Sequence, residues 1–265
     1  MLEKELDIAR QAALRGGKIL TSLFGRIIHI TKKGDIDLVT EADFNAEKAI
    51  IEIIHRNFPH DNILSEEAGN RGQASNRTWI IDPLDGTTNF VHGFPFFAVS
   101  IGLEIEQEMA LGVVFNPYLD ELFEAAKGSG AFLNKSPIHV SQTPVLGEAL
   151  LATGFPYSIQ KDPKKVIRLF EKMIVLTQGV RRPGSAAIDM CYVAAGRFDG
   201  FWEQDLKPWD TAAGTIIVKE AGGELSDYMG APYTPYMKTV VAGNPNIHEA
   251  MIGVLREEKN ANIPF

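Results

Sequence analysis

Two aspartates three residues apart, Asp82 and Asp85, are the strongest sign of chemistry in this sequence. They lie in the segment WIIDPLDGTTNF (79–90), whose apolar first residues predict a buried strand that ends at Asp82. Pro83 has no N–H to donate, so we expect it to end the strand ladder. A sharp turn there would bring both carboxylates to one side of the strand end. Two oxygen ligands placed close together suit a hard cation such as Mg²⁺.

The residues after the two aspartates favour an anion-binding turn. Gly86 lacks the Cβ that would keep a ligand away from the backbone. Thr87 and Thr88 can open a helical turn whose first N–H groups face an anion. The alternative is that the segment DGTT forms only a turn with an N-cap. The segment alone does not decide between an anion-binding turn and a purely structural one.

Two further segments supply carboxylates. SEE (65–67) follows a strand-like run and, taken alone, is most simply a solvated loop. KPWDTAAG (207–214) puts Asp210 in or beside the first turn of a helix, where a carboxylate is stabilised whatever its function. Together with the first pair they make four carboxylates at strand ends and helix starts, where α/β proteins gather their sites. The four are Glu66, Asp82, Asp85 and Asp210.

The elements that must position these residues predict layers of α and β structure. Apolar spacing predicts helices over 2–24, 41–57, 163–177, 185–195, 209–221 and 246–257. Short β-branched runs predict strands over 62–65, 78–81, 98–104, 110–115, 121–125, 150–152, 200–203 and 239–242. We expect a soft boundary near 143–144. It would separate an N-terminal α+β half (1–143) with most of the carboxylates from a C-terminal α/β half (144–265) that completes the pocket of one compact unit.

Composition narrows the class of protein. The 265 residues are 45% hydrophobic and 23% charged, as in an ordinary globular protein, and carry a net charge of −8. Lys and Arg are scattered, which disfavours a large nucleic-acid footprint and leaves only a local basic patch open. An acidic protein that acts on an anionic substrate must still place cations at its site, and bound metal is the natural supplier.

The single cysteine and the apolar runs predict a cytoplasmic protein. Cys191 has no partner for an internal disulfide, which favours a reducing compartment, and its apolar surroundings predict a small buried thiol. The N-terminus is too charged for a signal peptide. The most apolar stretch, 94–103, is too short to span a membrane.

The sequence resembles the bacterial inositol monophosphatases of the lithium-sensitive, Mg²⁺-dependent phosphatase superfamily. The resemblance covers nearly the whole chain. It is carried by four blocks in order: GDIDLVTEAD (34–43), SEE (65–67), DPLDGTTNF (82–90), and PWD (208–210) through EAGG (220–223). It implies an alternating α-β-α-β-α sandwich, inhibition by Li⁺, and often a homodimer.

The resemblance also implies which residues bind metal. Glu66, Asp82 and the backbone carbonyl of Leu84 would hold one Mg²⁺. Asp82, Asp85 and Asp210 would hold a second, with Asp82 bridging.

A third, weaker metal position would lie near the mobile segment that matches Lys32, Asp37 and Asp43. The sequence leaves open whether this segment is catalytic or a plain loop.

Substrate contacts are implied in the same way. Gly184, Ser185 and Ala186 would contact a polyol, and Glu203 would reach a ring hydroxyl. Without the resemblance these residues are more simply an N-cap and an exposed glutamate. The implied substrate-binding set is Asp85, Gly86, Thr87, Gly184, Ser185, Ala186, Glu203 and Asp210.

No other catalytic motif competes, since the sequence contains no HExxH, CxxC, GxxxxGK or GxSxG pattern. We therefore predict direct attack of water on a phosphate monoester, without a phosphoenzyme. Glu66 and Thr87 would orient the water and accept its proton, while Mg²⁺ lowers its pKa and neutralises the leaving oxygen. Inositol 1-phosphate is the predicted substrate. The alternatives are a fructose-1,6-bisphosphatase, alone or as a second activity, and a regulatory or RNA-associated scaffold with secondary catalysis.

Overall fold

Two large β-sheets and three layers of helices make up the part of the chain that the computed structural model describes, residues 2–26, 30–32, 38–72 and 75–260. The α-helices are α1 (Glu3–Leu23), α2 (Glu41–Asn57), α3 (Thr87–Val91), α4 (Lys164–Leu176), α5 (Ala186–Ala194), α6 (Pro208–Glu220) and α7 (Pro245–Asn260). Short 3₁₀ turns cover Leu146–Glu148 and Tyr157–Gln160.

The strands divide by position along the chain. Those of the first part are β1 (Ile30–Lys32), β2 (Leu38–Thr40), β3 (Asn62–Ser65), β4 (Gly69–Arg71), β5 (Arg77–Asp85), β6 (Ala98–Ile105), β7 (Glu108–Asn116), β8 (Glu121–Ala126), β9 (Ala131–Leu133) and β10 (Ser136–Ile138). Those of the second part are β11 (Leu150–Thr153), β12 (Gly179–Arg181), β13 (Gly200–Gln204), β14 (Glu224–Ser226) and β15 (Thr239–Gly243).

Each large sheet is built from one part of the chain. The first has eight strands in the order β10-β9-β8-β7-β6-β5-β3-β4, and only β3 and β5 pair in parallel. The second has five strands in the order β12-β11-β13-β15-β14, with β11 parallel to both of its neighbours. β1 and β2 form a separate antiparallel pair.

Helices α1 and α2 cover the outer face of the eight-stranded sheet. Their buried residues, such as Leu20 and Ile50, join one core with Trp79 and Ile101 of the sheet. Full burial of each such side chain contributes roughly 1.5–3 kcal/mol, so this interface holds α2 against the sheet. The start of α2 is closed by a capping box, in which the backbone N–H of Thr40 donates to Oδ2 of Asp43 at 2.8 Å.

Helices α5 and α6 lie between the two sheets. The close approach of α6 to the eight-stranded sheet is made possible by Gly102 and Gly112, which face each other across β6 and β7. A Cβ on Gly112 would lie 2.5 Å from the carbonyl oxygen of Ala213 in α6. Only a residue without a side chain lets the helix backbone come this near to the strands.

Helices α4 and α7 cover the outer face of the five-stranded sheet. Leu169 of α4 and Met251 of α7 pack with Leu151 and Val241 of the sheet in a further core. The order of layers is therefore α-β-α-β-α, which confirms the predicted sandwich. No helix among the described residues has the length and apolar character needed to cross a bilayer.

The predicted helices and longer strands are confirmed to within a few residues, and Cys191 is fully buried in α5 as predicted. The prediction missed the short strands β1, β2, β4, β9, β10, β12 and β14, each three residues long. Runs this short carry too few residues to display an alternating pattern.

Candidate active site

A cavity of about 320 Å³ opens where the end of β5 meets the starts of α5 and α6 and the end of β13. The structure places nearly all the predicted site residues on its wall. These are Glu66, Asp82, Leu84, Asp85, Gly86, Thr87, Gly184, Ser185, Ala186, Glu203 and Asp210. Asp37 and the side chain of Lys32 lie outside the described residues.

A β-bulge positions the two aspartates of β5. Asp82 pairs with Ser100 and Asp85 with Ala98, so two residues of β5 lie opposite a single residue of β6. The prediction that Pro83 ends the ladder is therefore wrong: the ladder is interrupted at Pro83 and resumes at Asp85. The bulge also lets the backbone N–H of Leu84 donate to Oδ1 of Asp82 at 2.9 Å.

Gly86 forms the turn that follows, and the protein's own backbone requires a glycine at this position. Its φ is +90°, and a Cβ would lie 2.9 Å from the carbonyl oxygen of Phe96. A side chain here would thus collide with the protein's own backbone, whatever the ligand. The turn starts α3 as predicted, and Oγ1 of Thr87 lies 3.0 Å from the carbonyl oxygen of Leu84.

Asp43 lies behind the cavity wall. Its Oδ1 is 3.3 Å from Oγ1 of Thr87, while its Oδ2 accepts hydrogen bonds from the backbone and hydroxyl of Thr40. Burial raises the pKa of Asp43 to about 6. The sequence grouped this residue with the segment of Lys32 and Asp37, and the structure shows that it also reaches the threonine that follows the carboxylate pair.

Glu47 is a residue that the sequence reasoning missed. It is 6% exposed, and its Oε1 accepts hydrogen bonds from the hydroxyl of Ser65 and from the backbone N–H groups of Glu67 (3.0 Å) and Ala68 (2.9 Å). These hydrogen bonds from residues 65–68 to Glu47 fix the position of the segment that carries Glu66. A signal existed, because Glu47 lies four residues after Asp43 on the buried face of α2.

Asp85 joins the bulge to the start of α5. Its Oδ2 accepts hydrogen bonds from the hydroxyl of Ser185 at 2.5 Å and from the backbone N–H of Ala187 at 2.8 Å. Burial raises the pKa of Asp85 to about 6, and these hydrogen bonds oppose the rise. The loop before α5 is tied to the same place, since Nδ2 of Asn89 donates to the carbonyl oxygen of Pro183 at 2.9 Å.

Asp210 reaches the cavity from the first turn of α6. Its Oδ2 accepts a hydrogen bond from the backbone N–H of Lys207 at 2.7 Å. The hydroxyl of Ser100 donates to the carbonyl oxygen of Trp209 at 3.3 Å. Because Ser100 is the strand partner of Asp82, this bond holds the start of α6 beside the bulge.

The carboxylates of the cavity repel one another. Burial raises the pKa of Asp82 well above its usual value, and Glu66, Asp85 and Asp210 raise it further. Burial and the charge of Asp85 likewise raise the pKa of Asp210. Two basic residues, Arg182 and Lys207, also line the cavity. The seven acidic residues on the wall are Glu66, Asp82, Asp85, Asp189, Glu203, Asp205 and Asp210.

This set of oxygens suits hard divalent cations. Glu66, Asp82, Asp85 and Asp210 share one wall and offer only oxygen ligands, which Mg²⁺ prefers. Among the described residues, no three Asp, Glu, His or Cys side chains stand close enough together to hold an ion as they are. Repulsion and the separate hydrogen bonds of the three aspartates account for this spacing, so a cation would have to draw the carboxylates together.

Glu203 forms the side of the cavity away from the bulge. It is the second-last residue of β13 and is 7% exposed. Burial raises its pKa well above the usual value, with a further rise from Asp210. Its carboxylate fills the space where a Cβ on Gly154 would stand. The glycine is therefore needed for the glutamate to face the cavity.

A five-layer α/β sandwich with an acidic cavity between its sheets defines the structural class, and comparisons with known proteins define the family. The sequence profile of the inositol monophosphatase family matches residues 1–260. An inositol monophosphatase structure from Anabaena (Nostoc) sp. PCC 7120 superimposes with a TM-score of 0.88 at 42% identity, covering 97% of this chain and 96% of that one.

Named relatives are similar over nearly the whole chain. The inositol-1-monophosphatase of Synechocystis sp. is 49% identical over 252 residues, 94% of this chain and 88% of the relative. The fructose-1,6-bisphosphatase/inositol-1-monophosphatase of Aquifex aeolicus is 40% identical over 258 residues, 97% of each chain. The Nus factor SuhB of Escherichia coli is 41% identical over 256 residues, 96% of each chain. This chain belongs to the inositol monophosphatase family, and it is a phosphatase.

Proposed function

We propose that this phosphatase hydrolyses inositol 1-phosphate and related polyol or sugar monophosphates in a Mg²⁺-dependent reaction. The observation that carries the proposal is the charge of the cavity, whose wall has seven acidic residues and two basic ones. An anionic ester can enter such a site only when cations are bound there. The names of the Synechocystis and Aquifex relatives support a polyol phosphate as the substrate.

The metal-binding residues are proposed as follows. Glu66, Asp82 and the carbonyl oxygen of Leu84 would hold one Mg²⁺, and Asp82, Asp85 and Asp210 would hold another. Bound Mg²⁺ would supply Lewis acidity, which makes water more acidic and offsets the charge that gathers on the phosphoryl and leaving oxygens.

Thr87, Asp43 and Glu66 would position the attacking water. The hydroxyl of Thr87 lies within hydrogen-bond distance of Oδ1 of Asp43. A hydroxyl that donates to Asp43 keeps a lone pair that can accept a hydrogen bond from the water. Glu66 would share the task of orienting the water and accepting its proton.

Backbone groups would hold the ester. The first N–H groups of α3 have no partners within the helix and can bind phosphoryl oxygens next to Thr87. Gly184, Ser185 and Ala186, at the start of α5, and Glu203 would contact the polyol. Together these groups would fix the phosphorus in line with the water, so that much of the catalysis comes from positioning.

Steady-state kinetics on three esters tests the proposal. The esters are inositol 1-phosphate, fructose 1,6-bisphosphate and adenosine 3′,5′-bisphosphate, each measured with Mg²⁺ and with EDTA. We expect the highest kcat/KM for inositol 1-phosphate and no turnover in EDTA. Turnover that persists in EDTA would contradict the metal requirement, and preference for a bisphosphate would contradict the substrate.

Two alternative functions are each favoured by the name of a relative. The Aquifex protein supports a second activity as a fructose-1,6-bisphosphatase, which the same kinetics would reveal. The Escherichia coli protein is named as a Nus factor and not as a phosphatase, which supports a regulatory or RNA-associated role beside catalysis. RNA that is retained at moderate salt, equally by wild type and Asp82→Asn, would support that role; loss of binding at that salt would exclude a specific complex.

Several finer expectations remain predictions. They are a homodimer, a cytoplasmic location, inhibition by Li⁺, the halves 1–143 and 144–265, and a third metal near Lys32, Asp37 and Asp43. Sedimentation analysis tests the homodimer, and kinetics in LiCl tests the inhibition.

A further inference from the structure

We propose that Asp189 is a specificity-determining residue that accepts a hydrogen bond from a hydroxyl of the substrate and disfavours a second phosphate at that position. This inference rests on the proposed function and extends it from the reacting phosphate to the neutral remainder of the ester.

Asp189 has an oxygen that lacks a partner. The residue is 1% exposed and lies on the cavity wall. Within the part of the chain that the structure describes, Oδ1 of Asp189 is one of two buried side-chain oxygen or nitrogen atoms with no hydrogen bond; the other is Nδ2 of Asn116. Buried polar atoms are nearly always hydrogen-bonded, so an unpartnered acceptor on a cavity wall indicates a donor that arrives with the ligand.

The place of Asp189 in α5 separates it from the phosphate contacts. Ser185, at the N-cap of α5, bonds to Asp85 at the bulge. Asp189 follows four residues later, one turn further along the same side of the helix. A substrate whose phosphate lies near Asp85 would therefore present its carbon skeleton to Asp189.

The charges around Asp189 define the chemistry of the ligand. Burial raises the pKa of Asp189 well above its usual value, and the nearby carboxylates of Glu203 and Asp85 raise it further, whereas Arg182 opposes the rise. Arg182 is exposed, and its guanidinium lies 5.5 Å from the ring centroid of Phe155. The carboxyl oxygens of Asp189 and Glu203 accept hydrogen bonds from hydroxyl donors, and a charge on either group would repel a second phosphate. The buried wall therefore favours a monophosphate of a neutral polyol.

Kinetics of Asp189→Asn and Asp189→Ala on three esters tests this role. For inositol 1-phosphate we expect kcat/KM to fall about tenfold in Asp189→Ala and less in Asp189→Asn, which keeps an acceptor oxygen. For fructose 1,6-bisphosphate, kcat/KM relative to inositol 1-phosphate should rise about tenfold in both variants. Hydrolysis of p-nitrophenyl phosphate, which has no polyol, should change less than twofold.

Two controls separate specificity from structure. Cys191→Ala alters a buried side chain of the same helix and should leave the ratio of the three activities unchanged. The Mg²⁺ concentration for half-maximal activity should match wild type in both Asp189 variants. Melting temperatures measured by circular dichroism identify any variant that does not fold, and the other variant then carries the test.

The outcomes are distinct. Equal losses on all three esters would assign Asp189 a structural role and overturn the inference, as would unchanged kinetics, which would mean that water satisfies the oxygen. Failure of the wild type to hydrolyse any of the esters would instead contradict the proposed function.

Discussion

Asp82 is the residue at which the bulge of β5, the acidic cavity and the start of α6 meet. It is 2% exposed, and it lies in range of the charges of Glu66, Asp85 and Asp210. Its one described hydrogen bond is accepted from the backbone N–H of Leu84 within the bulge. A buried carboxylate with a single hydrogen bond and no cation lowers the stability of the fold, because its desolvation is poorly compensated. Such destabilisation is typical of a binding residue.

Replacing Asp82 with Asn should therefore separate activity from stability. We expect Asp82→Asn to lower kcat at saturating Mg²⁺ by about a thousandfold or more, because each ion would lose a shared ligand. The melting temperature in EDTA should stay equal or rise, since one buried charge is removed. Enzyme assays and thermal melts measure both quantities; Asp162→Asn, at an exposed position, serves as the matched control. Wild-type kcat in Asp82→Asn would contradict the metal assignment.

Thr87 offers a second test at this scale. Thr87→Ser keeps the hydroxyl that lies near Asp43 and should retain kcat within about tenfold, whereas Thr87→Val keeps the shape and removes the hydroxyl. We expect Thr87→Val to lose about a hundredfold or more in kcat with little change in KM, since positioned proton transfer contributes that much. Equal kcat in the two variants would show that the hydroxyl has no part in the reaction.

At the scale of elements, the site depends on α2 and α6, which approach the eight-stranded sheet from opposite faces. Helix α2 contributes Asp43 behind Thr87 and Glu47 behind the segment of Glu66. Helix α6 contributes Asp210, and its depth against the sheet is set by Gly102 and Gly112. Each carboxylate is therefore positioned by the packing of a whole helix.

The hydrogen bonds between Glu47 of α2 and residues 65–68 predict an effect on metal affinity. Glu47→Ala removes an oxygen that accepts three hydrogen bonds from residues 65–68, and we expect about 10- to 100-fold weaker Mg²⁺ binding. Glu47→Gln keeps an acceptor and should recover most of the affinity. Calorimetric titration with Mg²⁺ measures the change, with Glu52→Ala on the exposed face of α2 as control. Unchanged affinity in Glu47→Ala would remove Glu47 from the positioning of Glu66.

The close packing of α6 against the eight-stranded sheet predicts an effect on the stability of the fold. Gly112→Ala would force a methyl group against the backbone of Ala213 and should lower the free energy of unfolding by about 1–3 kcal/mol. Gly147→Ala, where a Cβ would meet no atom within 4 Å, should change it by less than about 0.5 kcal/mol. Urea titrations compare the two. Equal stability of the two variants would show that α6 does not pack as closely against the eight-stranded sheet as described.

At the scale of the whole molecule, the cavity lies between the two sheets, and each sheet supplies part of it. Glu66, Asp82 and Asp85 come from the eight-stranded sheet and the segments that follow its strands. Glu203 comes from the five-stranded sheet, and Asp210 comes from the helix between them. A ligand bound here touches both halves of the chain, so binding should stabilise the fold as a unit.

Mg²⁺ should therefore raise the melting temperature of the whole chain. A site filled at 100 times its dissociation constant stabilises the folded state by about 2.7 kcal/mol, which corresponds to about 5 °C or more for a chain of this size. Thermal melts in EDTA and in Mg²⁺ measure the shift, and Asp82→Asn should abolish most of it. No shift in the wild type at Mg²⁺ concentrations that saturate activity would contradict binding between the sheets.

Much of the fold could be predicted from the sequence, because its helices and longer strands lie in runs with clear periods. The part of the cavity wall formed by Leu84, Gly184, Ser185, Ala186 and Glu203 was implied only by the resemblance to the family. The helices followed from apolar periodicity, and the carboxylates followed from strand ends and helix starts. The bulge could not be predicted, because Pro83 breaks a ladder equally well at a strand end and at an irregularity within a strand.

Glu47 and Asp189 were missed for a related reason. Each is an acidic residue on the buried side of a helix, and a helix sequence does not say what a buried carboxylate will face. Glu47 faces the backbone of residues 65–68, which lie about twenty positions further along the chain. Asp189 belongs to an otherwise apolar run, AAIDMCYVAA (186–195), in which packing was the simpler interpretation.

The division of the cavity between the two sheets has a consequence for how such proteins can diversify. Genetic exchange between two relatives at the connection between β10 and β11 would pass on Glu66, Asp82 and Asp85 from one parent, and Asp189 and Glu203 from the other. Such hybrids would take three of the four proposed metal-binding side chains from the first parent and the proposed polyol contacts from the second. Asp210 would also come from the second parent, and its helix α6 would have to fit the eight-stranded sheet inherited from the first parent.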